Sequence, residues 1–476
     1  MIETAHHITS PGDRVPFFRK VGYGTGMLGY ALMIQIYMQF YNPIFNDCLG
    51  VDPVWLGWVI LASRLWDAFT DPVMGNVTDN TRSRFGRRRP WLAVGALTCA
   101  VSFAAIWWFP RGQSDLFYFG WFLTTSLIFY LAFTIFSVPY IALGMELSPD
   151  YHERTSVMAV RGVLQQGGFF VVASLYWLTS LDRYADRADA MRWNSLWIGA
   201  LIFIVIIIPA VFAREHPSAL AEGHKDVKKI PLWRSARETL SNWPFLNLAL
   251  ITIVSLLGLM MVGSLGYYVT IYHMFDGDKG TASGAVLTAV GYAIPISTIG
   301  SIPLLNALSR WIGKRSTMLA AFGLAAAGAL LSWPCYSPAH PYLSIIPAVL
   351  LGTGSAAAYV FVNAMLPDAV DVDELKTGER REGMFSAVYS WMFKIGAAIA
   401  PMLGGYVLRG TGFNADIGSQ TTETMFWIRI CFAVIPALSL LAAMALVFAY
   451  PVSEKRSYEI RRQLEVMRKE KNETMA

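Results

Sequence analysis

The feature that most constrains this chain is the recurrence of apolar runs of about 20 residues, the length a helix needs to cross a bilayer. Twelve are read, near 21–45, 53–78, 90–110, 116–145, 156–180, 194–213, 243–274, 283–307, 316–335, 343–367, 384–408 and 425–450. A backbone in lipid must satisfy its own hydrogen bonds, so such runs fold as helices. Composition agrees: 55% of the 476 residues are hydrophobic and 15% are charged, against about 25% charged in soluble domains. The expected fold class is an all-α membrane protein with twelve transmembrane helices.

Basic residues sort the connections into two classes. The loop after the second run holds Arg82, Arg84, Arg87, Arg88 and Arg89. The loop after the sixth holds Arg214, Lys225, Lys228, Lys229, Arg234 and Arg237, and the one after the eighth holds Arg310, Lys314 and Arg315. The C-terminal tail is also basic. Alternate connections are poorer, or balanced, as where Arg183, Arg187 and Arg192 meet Asp182, Asp186 and Asp189. The positive-inside rule then puts both termini in the cytoplasm of a multi-pass inner-membrane protein. The net charge of +5 sits in these loops and reads as topology, so no nucleic-acid partner is expected. Cys48, Cys99, Cys335 and Cys431 show neither a disulfide framework nor metal-ligand spacing. The polar N-terminus has no signal-peptide core, which makes the first run the targeting signal.

The longest polar connection divides the chain into a six-helix bundle at 1–213, a cytoplasmic linker at 214–242, a second six-helix bundle at 243–450 and a cytoplasmic tail at 451–476. The bundles repeat weakly. The second run leads to GNVTDNTRSRFGRRR (75–89) and the eighth to NALSRWIGKR (306–315), each with Arg, an aromatic residue shortly before Gly, then basic residues. Two six-helix halves with a matching motif suggest the major facilitator architecture, its site near the midplane between the halves.

Inside the second run, Arg64, Asp67 and Asp71 are spaced i, i+3, i+7 and share one helix face. Charges within a span face the protein interior or water and mark ion or substrate paths. Two carboxylates with hydroxyls nearby suit a hard monovalent cation or a shared proton, and Thr70 lies in the same segment. Pro72 removes a backbone hydrogen bond and frees a carbonyl of the preceding turn. The alternative is a salt bridge between Arg64 and one aspartate.

The run WDAFTDPVMG (66–75) followed by NTRSRFGRRRPW (80–91) resembles the signature of the glycoside–pentoside–hexuronide:cation symporters, a branch of the major facilitators. YGTG (23–26), SVPY (137–140) and PDAVDVDELKTGERREGMFSAVYSWMFKIG (367–396) extend the resemblance over most of the chain. It implies that Asp67 and Asp71 bind the coupling cation, Na⁺ or H⁺, with Thr70 and Thr134 as neighbouring oxygens. It places Arg161 and Lys394 near substrate or cation, with Tyr359 as a substrate-facing aromatic. Tyr389 and Ser390 precede Lys394 by one turn, and Gln165 follows Arg161 by one. Asp79, Arg87 and Arg88 fall in the family's cytoplasmic loop motif and imply a gate, with Arg310 in the counterpart loop. Asp371, Asp373, Glu374, Arg380 and Arg381 offer charges at the matching place between runs ten and eleven.

The departures bear on the cargo. Melibiose-type members carry an acid in span one and another in span four, where this chain has Ala31 and Ser137. With one cation bound, Asp67 and Asp71 hold a net −1 against Arg64, Arg161 and Lys394. Buried positive excess is relieved by an anionic ligand, which favours a hexuronide or another acidic sugar over a neutral galactoside. Arg161 near a span end also fits an arginine that snorkels to the interface. Two rival readings stay open: a carrier of different cargo such as a lysolipid, and a non-transporting membrane sensor. An enzyme is not expected, since no nucleophile–base pairing or metal cluster appears, and no cofactor is expected beyond the coupling ion. The expected partners are a small-molecule sugar or glycoside and membrane lipid, and the expected state is a monomer.

Overall fold

A computed structural model of the chain describes residues 14–148, 150–213, 239–377, 381–415 and 417–452, with residues 456, 457, 459, 460, 462–464, 466 and 467 of the tail. Most of the expected linker and tail, and Arg380, lie outside the described residues. Regular structure among them is helical throughout. The chain divides into two compact units, Met1–Val227 and Lys228–Ala476.

In the first unit the helices are α1 (Phe17–Tyr41), α2 (Pro53–Asp79), α3 (Arg89–Trp107), α4 (Asp115–Glu146), α5 (Tyr151–Leu178) and α6 (Arg187–Phe212). Their starts follow from capping chemistry, in which a side-chain oxygen accepts from an otherwise orphaned N–H of the first turn. Asp52 accepts from Val54 N, Ser114 from Phe117 N, Asp150 from Glu153 N and Asp186 from Asp189 N. Pro53 and Pro90 open α2 and α3, where a missing N–H costs nothing. Helix α1 packs on α5 and α6, α2 on α4, and α3 on α4 and α6. The core between them is aromatic, with Tyr37, Phe40, Phe45, Phe103, Trp107, Phe122, Phe129 and Tyr130 all buried.

In the second unit the helices are α7 (Trp243–Tyr268), α8 (Thr281–Cys335), α9 (Ile345–Thr377), α10 (Glu382–Gly410) and α11 (Thr422–Phe448). Helix α8 packs on α9 and α11, and α7 on α10, α11 and α9. This core relies on small side chains: Ala321, Ala325, Ala326, Ala329, Ala356 and Ala357 are buried in it. Close approach of α8 and α9 follows, as small-residue packing predicts for helices in lipid.

The connection expected at 308–315 is a tight one, in which two helices meet at Gly313. Helix α8 runs for 55 residues with a break at Gly313, whose φ of 81° and ψ of 158° leave the helical region. At 1.5 Å per residue it would be about 80 Å long if straight, more than twice the ~30 Å of a hydrocarbon core. The residues around Gly313 are ordinary helix formers with no proline, so only the glycine, free to take positive φ, bends the chain. Its counterpart Gly86 also has positive φ, 98°. A second parallel joins the units: α1 ends in a π-turn at Asn42–Asn46 and α7 in one at Val269–Met274. Among the described residues, nine helical runs are long and apolar enough to cross a membrane. The two not counted are α1 and α2; α2 carries Arg64, Asp67 and Asp71 in its apolar length.

Candidate functional site

The two spans that carry the site are held together by hydroxyls and carboxylates. Asp67, Thr70 and Asp71 lie on successive turns of α2, and Thr134 meets them from α4. The Thr134 hydroxyl lies 3.0 Å from Asp67 Oδ1 and 3.3 Å from Asp71 Oδ1. The Thr70 hydroxyl lies 3.1 Å from Thr134 Oγ1 and 3.2 Å from the Asp67 carbonyl. Asp67 and Thr134 are buried, and Asp71 is half-buried at the edge of the cluster. The four residues that the resemblance assigns to the cation thus converge within this one unit.

Proton counting says what such a cluster can do. A threonine hydroxyl has one hydrogen to donate, so Thr134 cannot satisfy both carboxylates at once. A cation or a proton placed between the acids can bridge both carboxylates. The donor set is all oxygen and includes two carboxylates, which suits a hard ion. Pro72 lies inside α2 and lacks the N–H that would bond the Ala68 carbonyl.

Arg64, one turn before Asp67, is buried, with its Cζ 5.1 Å from the centroid of the Tyr130 ring. Its Nε makes no hydrogen bond. Its guanidinium lies against this ring. A cation over an aromatic face is attracted by the ring quadrupole.

The residues expected at the substrate divide between the units. In the first, Arg161 stands with Cζ 5.8 Å from the Tyr140 ring centroid and its Nη1 donates to Met158 Sδ at 3.4 Å. Gln165 is half-buried one turn beyond, and Ser137 is buried one turn after Thr134. Ala31 is buried against α5, where a Cβ on Gly168 would come within 2.8 Å of its own Cβ. This position therefore serves helix packing. In the second unit, Tyr359 on α9 is 67% exposed. Tyr389 Oη accepts from Thr252 Oγ1 at 3.4 Å, Ser390 is exposed and Lys394 is half-buried, all on α10.

The YGTG and SVPY anchors meet each other. Tyr23 Oη donates to the Tyr140 carbonyl at 3.2 Å, and Tyr140 Oη donates to the Tyr23 carbonyl at 3.1 Å. The rings stack at 4.7 Å. Gly26 makes the approach possible, since a Cβ there would lie 2.4 Å from Tyr140 Cε2. These two anchors shape the wall on which Arg161 rests.

At the arginine-rich loop, Arg88 Nη2 pairs with Asp79 Oδ1 at 2.9 Å and with Glu146 Oε1 at 2.7 Å. Arg87 Nη2 reaches the same Glu146 oxygen at 2.9 Å. Burial works against the charge on Arg88, but the bonds and charges of Glu146 and Asp79 outweigh it and hold its pKa above the ordinary value. Sequence reasoning found Asp79, Arg87 and Arg88 and missed Glu146, the last residue of α4. Arg89 donates to the Ala210 carbonyl at 2.6 Å and the Val211 carbonyl at 3.0 Å, tying the start of α3 to the end of α6. In the second unit Arg310 is exposed, and its neighbours make the corresponding contacts. Arg315 donates to the Phe448 carbonyl at the end of α11, and Lys314 Nζ to the Ala364 carbonyl of α9 at 3.3 Å. Arg381 pairs with Asp373 at 2.8 Å.

Residues 22–454 match the MFS/sugar transport protein family. This chain belongs to that family. Within it, the chain is a member of the glycoside–pentoside–hexuronide:cation symporters, as its relatives also indicate. The isoprimeverose transporter of Lactiplantibacillus pentosus is 24% identical over 92% of this chain and 89% of its own. The glucuronide carrier protein homolog of Escherichia coli (strain K12) is 23% identical over 92% of this chain and 93% of its own. The sodium-dependent lysophosphatidylcholine symporter 1 of Mus musculus is 22% identical over 95% of this chain and 88% of its own. Among solved structures, a bacterial homolog of the human lysosomal transporter Spinster superposes with a TM-score of 0.61 at 13% identity, covering 94% of this chain and 98% of that one. That likeness carries the fold alone. The protein is therefore a multi-pass membrane transporter of the major facilitator superfamily.

Proposed function

We propose that this transporter is a symporter that moves a sugar or glycoside across the inner membrane, driven by Na⁺ or H⁺. In this reading α1 and α2 also cross the membrane, and the break at Gly313 separates two spans of α8. The chain then has twelve spans in two six-helix halves, both termini are cytoplasmic, and the halves rock about a midplane site. The observation that carries the reading is the convergence of the Asp67 and Asp71 carboxylates on the Thr134 hydroxyl, with the Thr70 hydroxyl beside it. A cation there neutralises part of a buried charge and ties α2 to α4. Cation binding then raises cargo affinity, and linkage requires that cargo raise cation affinity by the same factor. Asp79, Arg87, Arg88 and Glu146 form the gate's latch on the first half, with Arg310 in the counterpart motif of the second.

For the cargo we favour an acidic sugar such as a hexuronide. Arg64, buried on Tyr130, adds a fixed positive charge to those of Arg161 and Lys394. The acids that melibiose-type members carry in spans one and four are replaced by Ala31 and Ser137. Tyr359, Tyr389, Ser390, Gln165 and Ser137 would supply the aromatic face and hydroxyl partners. The test is competition for uptake by a glucuronide and its neutral glucoside. Stronger competition by the glucuronide is expected, and equal potency would overturn the acidic cargo while leaving the cation site standing.

A second reading, transport of a lysolipid, is favoured by the relative named as a lysophosphatidylcholine symporter. Uptake of a lysophospholipid that a glucuronide fails to inhibit would establish it in place of the sugar.

A further inference from the structure

The two units share a feature at the ends of their helices that the transport reading does not use. In the first unit Arg192, in the second turn of α6, lies over Trp108 at the end of α3, its Cζ 4.5 Å from the ring centroid. In the second unit Arg429, in the second turn of α11, lies over Trp333 near the end of α8, its Cζ 4.3 Å from the ring centroid. Each tryptophan carries a second aromatic ring at its edge: Trp193 at 5.8 Å from Trp108, and Phe426 at 5.8 Å from Trp333.

The position along the helices is the same in both. Helix α3 has 19 residues, about 28 Å at 1.5 Å per residue, from Arg89 in the basic loop to the Arg192–Trp108 pair. From Arg315 to Trp333 the second part of α8 covers roughly 27 Å by the same rise. Both lengths match a hydrocarbon core of ~30 Å. On the proposed twelve-span topology, on which this inference rests, the two pairs sit at the membrane interface opposite the arginine-rich loop, where tryptophan is enriched and phospholipid phosphates lie.

The Nε atoms of Arg192 and Arg429 and the indole Nε1 of Trp108 are buried and make no hydrogen bond. Arg429 Nη2 donates to the Trp333 carbonyl at 2.8 Å, which fixes the guanidinium over the ring. The surroundings are made for lipid: Trp193, Trp197, Phe426 and Trp427 are exposed on the same turns. A planar guanidinium presents forked donors that match the oxygens of a phosphate.

We propose that the Arg192–Trp108 and Arg429–Trp333 pairs are two matched sites for the phosphate group of an anionic phospholipid, one on each unit. The arginine binds the phosphate, the tryptophan orients the arginine, and the flanking rings lie against the acyl chains. Phosphatidylglycerol fits better than phosphatidylcholine, because no ammonium in its headgroup competes with the guanidinium.

Native mass spectrometry of the full-length protein, released from detergent after exposure to phosphatidylglycerol, tests this. The wild type should retain one lipid per site, each of Arg192→Gln and Arg429→Gln should lose one, and the double variant should lose both. The double lysine variant keeps the charge and should recover most of the binding. Thermal shift on delipidated protein gives the second arm, each variant being read against its own lipid-free Tm. Phosphatidylglycerol should raise the wild-type Tm, while inorganic phosphate at the same concentration should not. Arg192→Gln removes no side-chain hydrogen bond, so it remains readable even where Arg429→Gln folds poorly. Unchanged lipid retention in Arg192→Gln would overturn the proposal, as would a shift with inorganic phosphate equal to that with phosphatidylglycerol.

Discussion

The α2–α4 contact of the first unit and the α8–α9 contact of the second use the same hydroxyl pairing and differ in charge. Thr70 and Thr134 approach to 3.1 Å in the first, and Ser301 and Thr353 to 3.0 Å in the second. Thr298 adds a bond from its hydroxyl to the Gly352 carbonyl at 3.1 Å. Asp67 and Asp71 stand beside the first pair, whereas Ile294, Ser297 and Thr298 precede Ser301 on α8. A hydroxyl pair stitches two helices and carries no charge. In the proposed reading, the carboxylates added to the stitch are what make it a cation site. The bends at Gly86 and Gly313 teach the same lesson. Arg89 and Arg315 both tie the bend to the last helix of their unit, a structural role that both keep. The bonds to α4 and α9 differ: Arg87 and Arg88 meet the Glu146 carboxylate, while Lys314 meets only a carbonyl.

The largest effect should come from the acids themselves. Asp67→Asn or Asp71→Asn should lower gradient-driven uptake on the order of 100-fold, about 3 kcal/mol, while the protein remains in the membrane. Full concentrative uptake by both would erase the distinction between the two contacts. Thr134→Ala comes next. It removes a hydroxyl that bonds ionised groups and should weaken cation activation of uptake by about tenfold, in line with ~1.5 kcal/mol for such a bond; Thr134→Ser should restore most of it. In the second unit, Ser301→Ala or Thr353→Ala should cost only about 0.6 kcal/mol, the average for a hydrogen bond between membrane helices. Its signature is a slightly lower Tm with unchanged cation dependence. A change in cation dependence there would mean that the second contact is also an ion site.

The smallest effect lies outside the spans. Arg111 pairs with Asp186 through two bonds of 2.7 and 3.0 Å. Burial alone would raise the Asp186 pKa, but the bonds and charge of Arg111 and the Asp189 N–H outweigh it and hold the pKa below the ordinary value. A carboxylate depressed on folding stabilises the protein above its unfolded pKa, and the gain is lost as pH falls through the folded value. Both side chains are more than a third exposed, so the gain is a few tenths of a kcal/mol. Wild type and Arg111→Gln should differ slightly in Tm at neutral pH and converge in acid.

Much of the fold was legible because apolar runs and basic loops are local signals. Asp67 and Asp71 were legible for the same reason, as acids in an apolar run are costly wherever they occur. Thr134 came from the family resemblance alone, because one threonine in a span looks like any other until a partner helix gives it neighbours. Glu146 was missed on similar grounds: at the end of α4 it reads as an ordinary loop acid, and only packing brings it to Arg87 and Arg88. The connection around Gly313 was read from its basic residues, which mark a membrane edge, but its shortness was not, because nothing in it opposes helix except one glycine. Ala31 was read as standing where melibiose-type members carry an acid, and the close passage of α5 at Gly168 gives it a packing role that spacing alone does not reveal.

The most direct test needs no cargo. Equilibrium binding of radiolabelled Na⁺ to the purified protein, run beside a proton titration, reads the cluster itself. The wild type should take up one Na⁺, or one proton in its place, and Asp67→Asn together with Asp71→Asn should abolish both. Undiminished cation uptake by that double variant would contradict the assignment of the coupling site to Asp67, Asp71, Thr70 and Thr134.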